Sequence, residues 1–134
     1  MATRSVIAKL DDKGVQAIYC HNDGYLSNNG KILDQHYQNE VKVDNLIAQG
    51  DASSLRDTIE DTTFYMRDRG ESNKEATTLK DESALLEFAF EKCDADYVYM
   101  YAYGSWYVYD NANGIGNCSY QFIELEEALY NVLA

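Results

Sequence analysis

Residues 97–110 read Tyr97-Val98-Tyr99-Met100-Tyr101-Ala102-Tyr103-Gly104-Ser105-Trp106-Tyr107-Val108-Tyr109-Asp110. Two runs of aromatic and β-branched residues, alternating with period two and interrupted by glycine and serine, predict a β-hairpin. With Gly104-Ser105 as a two-residue turn, Tyr103 pairs with Trp106, Tyr101 with Val108, and Tyr99 with Asp110. One face then carries Tyr97, Tyr99, Tyr101, Tyr103, Trp106, Val108 and Asp110, and the other Val98, Met100, Ala102, Tyr107 and Tyr109. The second face is the predicted core side, because burying the tyrosine face would strand hydroxyls at about 1 to 3 kcal/mol each where partners are lacking. The tyrosine face itself has two readings. Sheets favour tyrosine for its cross-strand pairing, and tyrosine and tryptophan are also enriched where proteins dock.

The charge around this hairpin is one-sided. The 42 residues after Lys92 hold eight of the twelve tyrosines, six carboxylates and no lysine or arginine. The whole chain carries a formal charge of −12, which argues against direct contact with nucleic acid or an anionic membrane and favours a basic protein partner. Charge alone does not make a DNA mimic. Spread over the surface of a fold this size, the excess amounts to about one charge per 600 Å², against about one per 100 Å² on duplex DNA. Mimicry would require clustering, and Glu82, Glu87, Glu91, Asp94, Asp96, Asp110, Glu124, Glu126 and Glu127 are the carboxylates concentrated enough to supply it.

A length of 134 residues without a proline- or serine-rich linker, repeat or low-complexity tract predicts one domain spanning residues 1–134. No apolar run approaches a membrane span, and the first ten residues are too polar for a secretory signal, so a soluble cytoplasmic protein is expected. Cys20, Cys93 and Cys118 are odd in number and far apart, which suits reduced thiols. Proline is absent, so turns must rest on glycine, asparagine and aspartate.

Ser5 to Leu10 and Val15 to Cys20, separated by Asp11-Asp12-Lys13-Gly14, predict an amino-terminal hairpin with a four-residue, glycine-ending turn. His21 to Gly30 reads as loop. Helices are predicted from Lys31, with Ile32, Leu33, His36 and Tyr37 on one face, and from an Asn39 cap to Gly50 through Val43, Leu46 and Ile47. Thr63 to Arg67 has strand composition, Arg69 to Lys80 reads as a mobile polar segment, and Asp81 or Ser83 can cap a helix through Cys93. Leu125, Ala128, Leu129, Val132 and Leu133 mark a carboxy-terminal amphipathic helix. Together these predict an α+β domain, an antiparallel sheet built from amino- and carboxy-terminal hairpins with helices packed on one face.

Among side chains that carry chemistry, His21 and Asp23 flank Asn22 on a loop after a strand. With His36 they lack a fourth ligand at fixed spacing, so neither a metal site nor a cofactor is expected. Arg67, Asp68, Arg69 and Glu71 form the densest charge cluster, able to grip a phosphate or to form an internal ion-pair network. A ligand pocket from His21, Asp23, Tyr25, Arg67, Arg69 and Glu71 is the alternative to a docking protein. Gly114-Ile115-Gly116 reads as a turn, and no nucleophile elbow, zinc-protease or phosphate-loop motif is present, so no catalytic residue is assigned.

The segments RSVIA, IYCHNDGY, NGKIL, His36-Tyr37, LIAQGDASSL and RDRGE, over about residues 3–71, together resemble a family of small uncharacterised proteins of bacteriophages and prophages. Members usually have an aromatic residue where this chain has Asn22. The resemblance implies a mobile-element origin and carries no activity with it. It implies host takeover or counter-defence, such as anti-CRISPR or anti-restriction inhibition. The expectation is therefore an accessory protein that inhibits a basic, nucleic-acid-handling host or phage protein, docking through Glu87, Glu91, Asp94, Asp96, Tyr97, Tyr99, Tyr101, Tyr103, Trp106 and Asp110. A phage structural or assembly protein is a third reading, and the oligomeric state stays open.

Overall fold

The computed structural model describes residues 3–65, 76–110 and 122–133. Ser5–Asp11 (β1) and Gly14–Asn22 (β2) form the amino-terminal hairpin. Its ladder continues to an Asp11–Gly14 rung, so only Asp12 and Lys13 occupy the turn, two residues rather than four. The Lys13 amide donates to Asp11 Oδ1 at 2.8 Å, a local aspartate bond that tightens it.

After β2 the chain forms a single π-helical turn, Leu26–Gly30, that runs directly into Lys31–His36 (α1). Helix Glu40–Ala48 (α2) starts where predicted, with Asn39 accepting from the Lys42 amide at 2.9 Å. Three short strands follow: Ala52–Ser54 (β3), Thr63–Phe64 (β4) and Thr77–Leu79 (β5), the last inside the segment expected to be mobile. Asp81 caps Glu82–Glu87 (α3), which continues as a π-helical stretch, Phe88–Lys92. Tyr97–Ala102 (β6) and Ser105–Asp110 (β7) are the tyrosine hairpin; Ile123–Glu124 (β8) and Leu125–Leu133 (α4) complete the chain. No helix among the described residues is long and apolar enough to cross a membrane.

The strands form one sheet in the order β4-β3-β2-β1-β6-β7-β8, with β5 also on β2. Both predicted hairpins are present and the class is α+β, but the sheet is mixed. β1 runs parallel to β6 from Ser5–Tyr97 to Leu10–Ala102, and β3 runs parallel to β2. Parallel neighbours need a long crossover, and everything from α1 to α3 lies between β1 and β6. One consequence governs the site below: the turns that end β1 and β6 lie side by side at the same end of the sheet.

Helices cover both faces, not one. Ile7, Ile18, Tyr99 and Val108 pack against Leu33 of α1, Leu46 of α2 and Leu125 of α4, while Val6, Ala17, Val98 and Met100 pack against Leu85 and Ala89 of the α3 region. Every residue of β6 is buried, so a single layer of helices could not have shielded it.

Candidate functional site

The tyrosine hairpin is core. Tyr97, Tyr99, Tyr101 and Trp106 are all buried, Tyr99 completely, which corrects the expectation that this face is a docking surface. The desolvation argument fails because the polar atoms find backbone carbonyls in distant loops. Tyr99 Oη donates to the Gly24 carbonyl at 2.6 Å, and Trp106 Nε1 to the Tyr37 carbonyl at 2.8 Å. Tyr37 Oη in turn donates to the Arg56 carbonyl at 3.1 Å. No buried side-chain nitrogen or oxygen among the described residues lacks a partner.

The register also differs from the predicted one. The rungs are Ala102–Ser105, Tyr101–Trp106, Tyr99–Val108 and Tyr97–Asp110, so the turn is Tyr103-Gly104. A slip of two residues keeps every side chain on its predicted face, and it ejects Tyr103 from the ladder. Tyr103 and Gly104 have φ of 52° and 82°, the two positive values of a type I′ turn, and Tyr103 is 83% exposed. Tyr101 and Trp106 meet edge to face at 5.3 Å just below it.

The predicted carboxylates lie elsewhere. Glu87, Glu91 and Asp94 are exposed and Asp96 half-buried, but they sit before β6, whereas Tyr103 follows it. A strand of six residues spans about 20 Å, which separates Asp94 and Asp96 from Tyr103, whereas Glu82, at the start of α3, lines a hollow together with Tyr103. The backbone of Asp110 pairs with Tyr97; its side chain lies outside the described residues.

Other carboxylates surround Tyr103. A hollow of about 350 Å³ on one side is lined by Asp34, Gln38, Tyr101, Gly104, Ser105, Trp106, Glu124 and Glu126. A second, of about 210 Å³, is lined by Lys9, Leu10, Asp11, Asp12, Glu40, Tyr101, Tyr103 and Gly104. Tyr101 and Gly104 line both, so the two hollows adjoin at the turn. Lys9, the single cation among their described lining residues, is already engaged, its Nζ lying 2.6 Å from Asp44 Oδ1 and 2.9 Å from Glu40 Oε1. Burial, and then the charge of Glu126, hold the Asp34 carboxyl above its ordinary range. Asp11 and Asp12 reach this site only because β1 is parallel to β6, which no local pattern announces; Glu124 and Glu126 belong to the acidic group the composition singles out.

The motif residues of the amino-terminal half are spread out. His21 Nδ1 is 2.7 Å from Tyr19 Oη on the α3 side of the sheet, whereas Cys20 points to the opposite core. Asp23 adopts φ 57°, and Gly24 lies so close to the start of β1 that an added Cβ would be 2.8 Å from both Ser5 Cβ and the Thr3 carbonyl oxygen. The His-Asn-Asp-Gly-Tyr segment therefore builds the fold: it crosses the start of β1 and supplies the acceptor for Tyr99. Asn29, fully buried, extends this support by donating to Ser5 Oγ at 3.2 Å. Tyr25 is exposed, and Arg67, Arg69 and Glu71 lie outside the described residues. His36 pairs with Asp57 at 3.6 Å, and no group of three metal-binding side chains occurs among the described residues.

Comparison of the chain with protein-family models, curated proteins and solved structures finds no match in any of the three.

Proposed function

We propose that this protein binds a basic segment of another protein at the acidic end of its sheet. The observation that carries the reading is Tyr103: an exposed aromatic ring, in a backbone conformation that tyrosine rarely adopts, lining one carboxylate-bearing hollow, with a second such hollow beginning at the next residue, Gly104. Type I′ turns favour asparagine, aspartate or glycine here, and a ring this exposed adds little to folding. An arginine-rich segment supplies what the surface lacks. Guanidinium groups pair with carboxylates in bidentate fashion and stack on aromatic faces.

Phage-like segments in the amino-terminal half support placing that partner among host or phage proteins that handle nucleic acid, where basic surface is abundant. The protein would then act as an inhibitor by occupying such a surface. It needs no cofactor or reaction to do so.

A fluorescently labelled arginine-rich peptide, titrated into the full chain with a glutamate-rich peptide as control, tests the mode of binding. Saturable binding that weakens steeply with salt, and that falls in Tyr103→Ala and in Glu124→Gln/Glu126→Gln, is expected. Binding that ignores both salt and these substitutions would sink the proposal.

A further inference from the structure

At the opposite end of β6, on the α3 side of the sheet, lies a larger hollow of about 480 Å³, within the size range of small-molecule sites. It gathers two cations in a strongly acidic protein. Arg4 and Lys92 line it together with Tyr19, Thr77, Phe88 and Cys93, and Asp51 and Asp94 lie on its wall. The two carboxylates are not equivalent. Asp51 Oδ1 accepts the Tyr19 amide at 3.0 Å and is held there. Asp94 Oδ2 is 3.3 Å from Arg4 Nη1, longer than a strong charge-assisted bond, and its side chain is 89% exposed. Lys92 forms no salt bridge among the described residues.

The site is anchored from behind. The Arg4 carbonyl accepts the Asp96 amide at 2.9 Å, fixing Arg4 against the segment that carries Asp94. Tyr19 Oη is 2.7 Å from His21 Nδ1, which orients the phenol, and burial keeps that phenol protonated despite the opposing influence of Arg4. A guanidinium, an ammonium and the Thr77 hydroxyl thus offer hydrogen-bond donors from several elements, with the Tyr19 and Phe88 rings as walls.

We propose that this hollow binds a small phosphate-bearing ligand, with Arg4 and Lys92 taking the phosphate and Asp94 serving as an internal competitor for Arg4. The left-handed backbone at Asp94, φ 51°, fits that role. A non-glycine residue is held in an uncommon conformation where its carboxylate meets the guanidinium that an external anion would claim. This inference is independent of the acidic end and stands or falls without it.

The test uses the full chain, with phenyl phosphate, inorganic phosphate and benzoate followed by amide chemical shifts. Phenyl phosphate is expected to shift Arg4, Tyr19, Thr77 and Lys92 and to bind more tightly than inorganic phosphate, with benzoate weakest. Lys92→Ala, an exposed change that leaves the core alone, and Arg4→Gln should each weaken binding about tenfold. Asp94→Asn should strengthen it a few-fold. Benzoate binding as tightly as phenyl phosphate overturns the phosphate assignment, and an unchanged affinity in Asp94→Asn overturns the competitor. Absence of shifts at millimolar phenyl phosphate in both the native chain and Asp94→Asn overturns the site.

Discussion

Tyr99 Oη donates to the Gly24 carbonyl at 2.6 Å, tying the middle of the central strand β6 to the turn that follows β2. Tyr99 is fully buried, so the bond is made away from water and its loss leaves a carbonyl with one partner fewer. Tyr99→Phe is expected to destabilise the fold by about 1 to 3 kcal/mol, read as a lower urea midpoint at unchanged slope. Its amide spectrum should change around Gly24 and leave the acidic end intact. A variant as stable as the parent would show that the bond contributes nothing net.

Gly24 and Gly104 should respond to alanine for opposite reasons. At Gly24 a new Cβ meets Ser5 Cβ and the Thr3 carbonyl oxygen at 2.8 Å, and neither is the flexible end of a side chain. At Gly104 nothing lies within 4 Å, but φ is +82°. Gly24→Ala is expected to cost about 1 to 3 kcal/mol through overpacking, and Gly104→Ala about 1 to 2 kcal/mol through left-handed strain alone. Crystal structures of the two variants separate the mechanisms. The first should shift the start of β1, and the second only the turn.

Both hairpins were legible because alternation and turn residues are local signals: Ser5 to Cys20 and Tyr97 to Asp110 each carry a complete pattern within their own length. Asn39 and Asp81 were legible as caps for the same reason. The parallel joining of β1 to β6 was not, since no feature of either strand states the direction of its far neighbour. The burial of Tyr99 and Trp106 was hidden too, because their acceptors are main-chain carbonyls of Gly24 and Tyr37, far away in sequence. The site followed the fold. Asp11 and Asp12 flank Tyr103 only through that parallel pairing, so a reading that kept the hairpins separate placed the acidic contact at Glu87, Glu91 and Asp94 instead. Strands β3 and β5, of three residues each, are too short to carry a pattern.

Two charged groups should each make stability fall as pH rises, in different pH windows. The Asp34 carboxyl is held above its ordinary value of 3.8 by burial and then by Glu126, so the native state binds its proton more tightly than the unfolded chain. Its unfavourable contribution is therefore absent in acid and develops as pH rises through that raised range. Asp34→Asn is expected to stabilise the protein at neutral pH and to have little effect below the ordinary value. Lys9 acts in the same direction in a higher window and for a different reason. Burial works against its charge, but the hydrogen bonds and charges of Asp44 and Glu40 outweigh that and raise its pKa. Its contribution is present at neutral pH and is lost only as pH climbs through the raised value. Denaturation midpoints of the native chain, Asp34→Asn and Lys9→Met across pH test both windows.

Tyr103→Asn sets stability against binding at a single position. Asparagine followed by glycine is the preferred pair for a type I′ turn, while tyrosine at φ 52° is strained and, at 83% exposure, gains little from burial. The substitution is expected to raise stability by about 0.5 to 1 kcal/mol and to weaken binding of the arginine-rich probe roughly tenfold. Tyr103→Phe, which keeps the ring and the strain, should retain binding within a few-fold and leave stability unchanged. A stabilised Tyr103→Asn that binds as well as the parent would leave the exposed ring without a role at the acidic end. A destabilised one would mean that the ring contributes to the fold through contacts its exposure does not reveal. The combination of higher stability with lost binding is what a residue retained for docking at a local cost to the turn should produce.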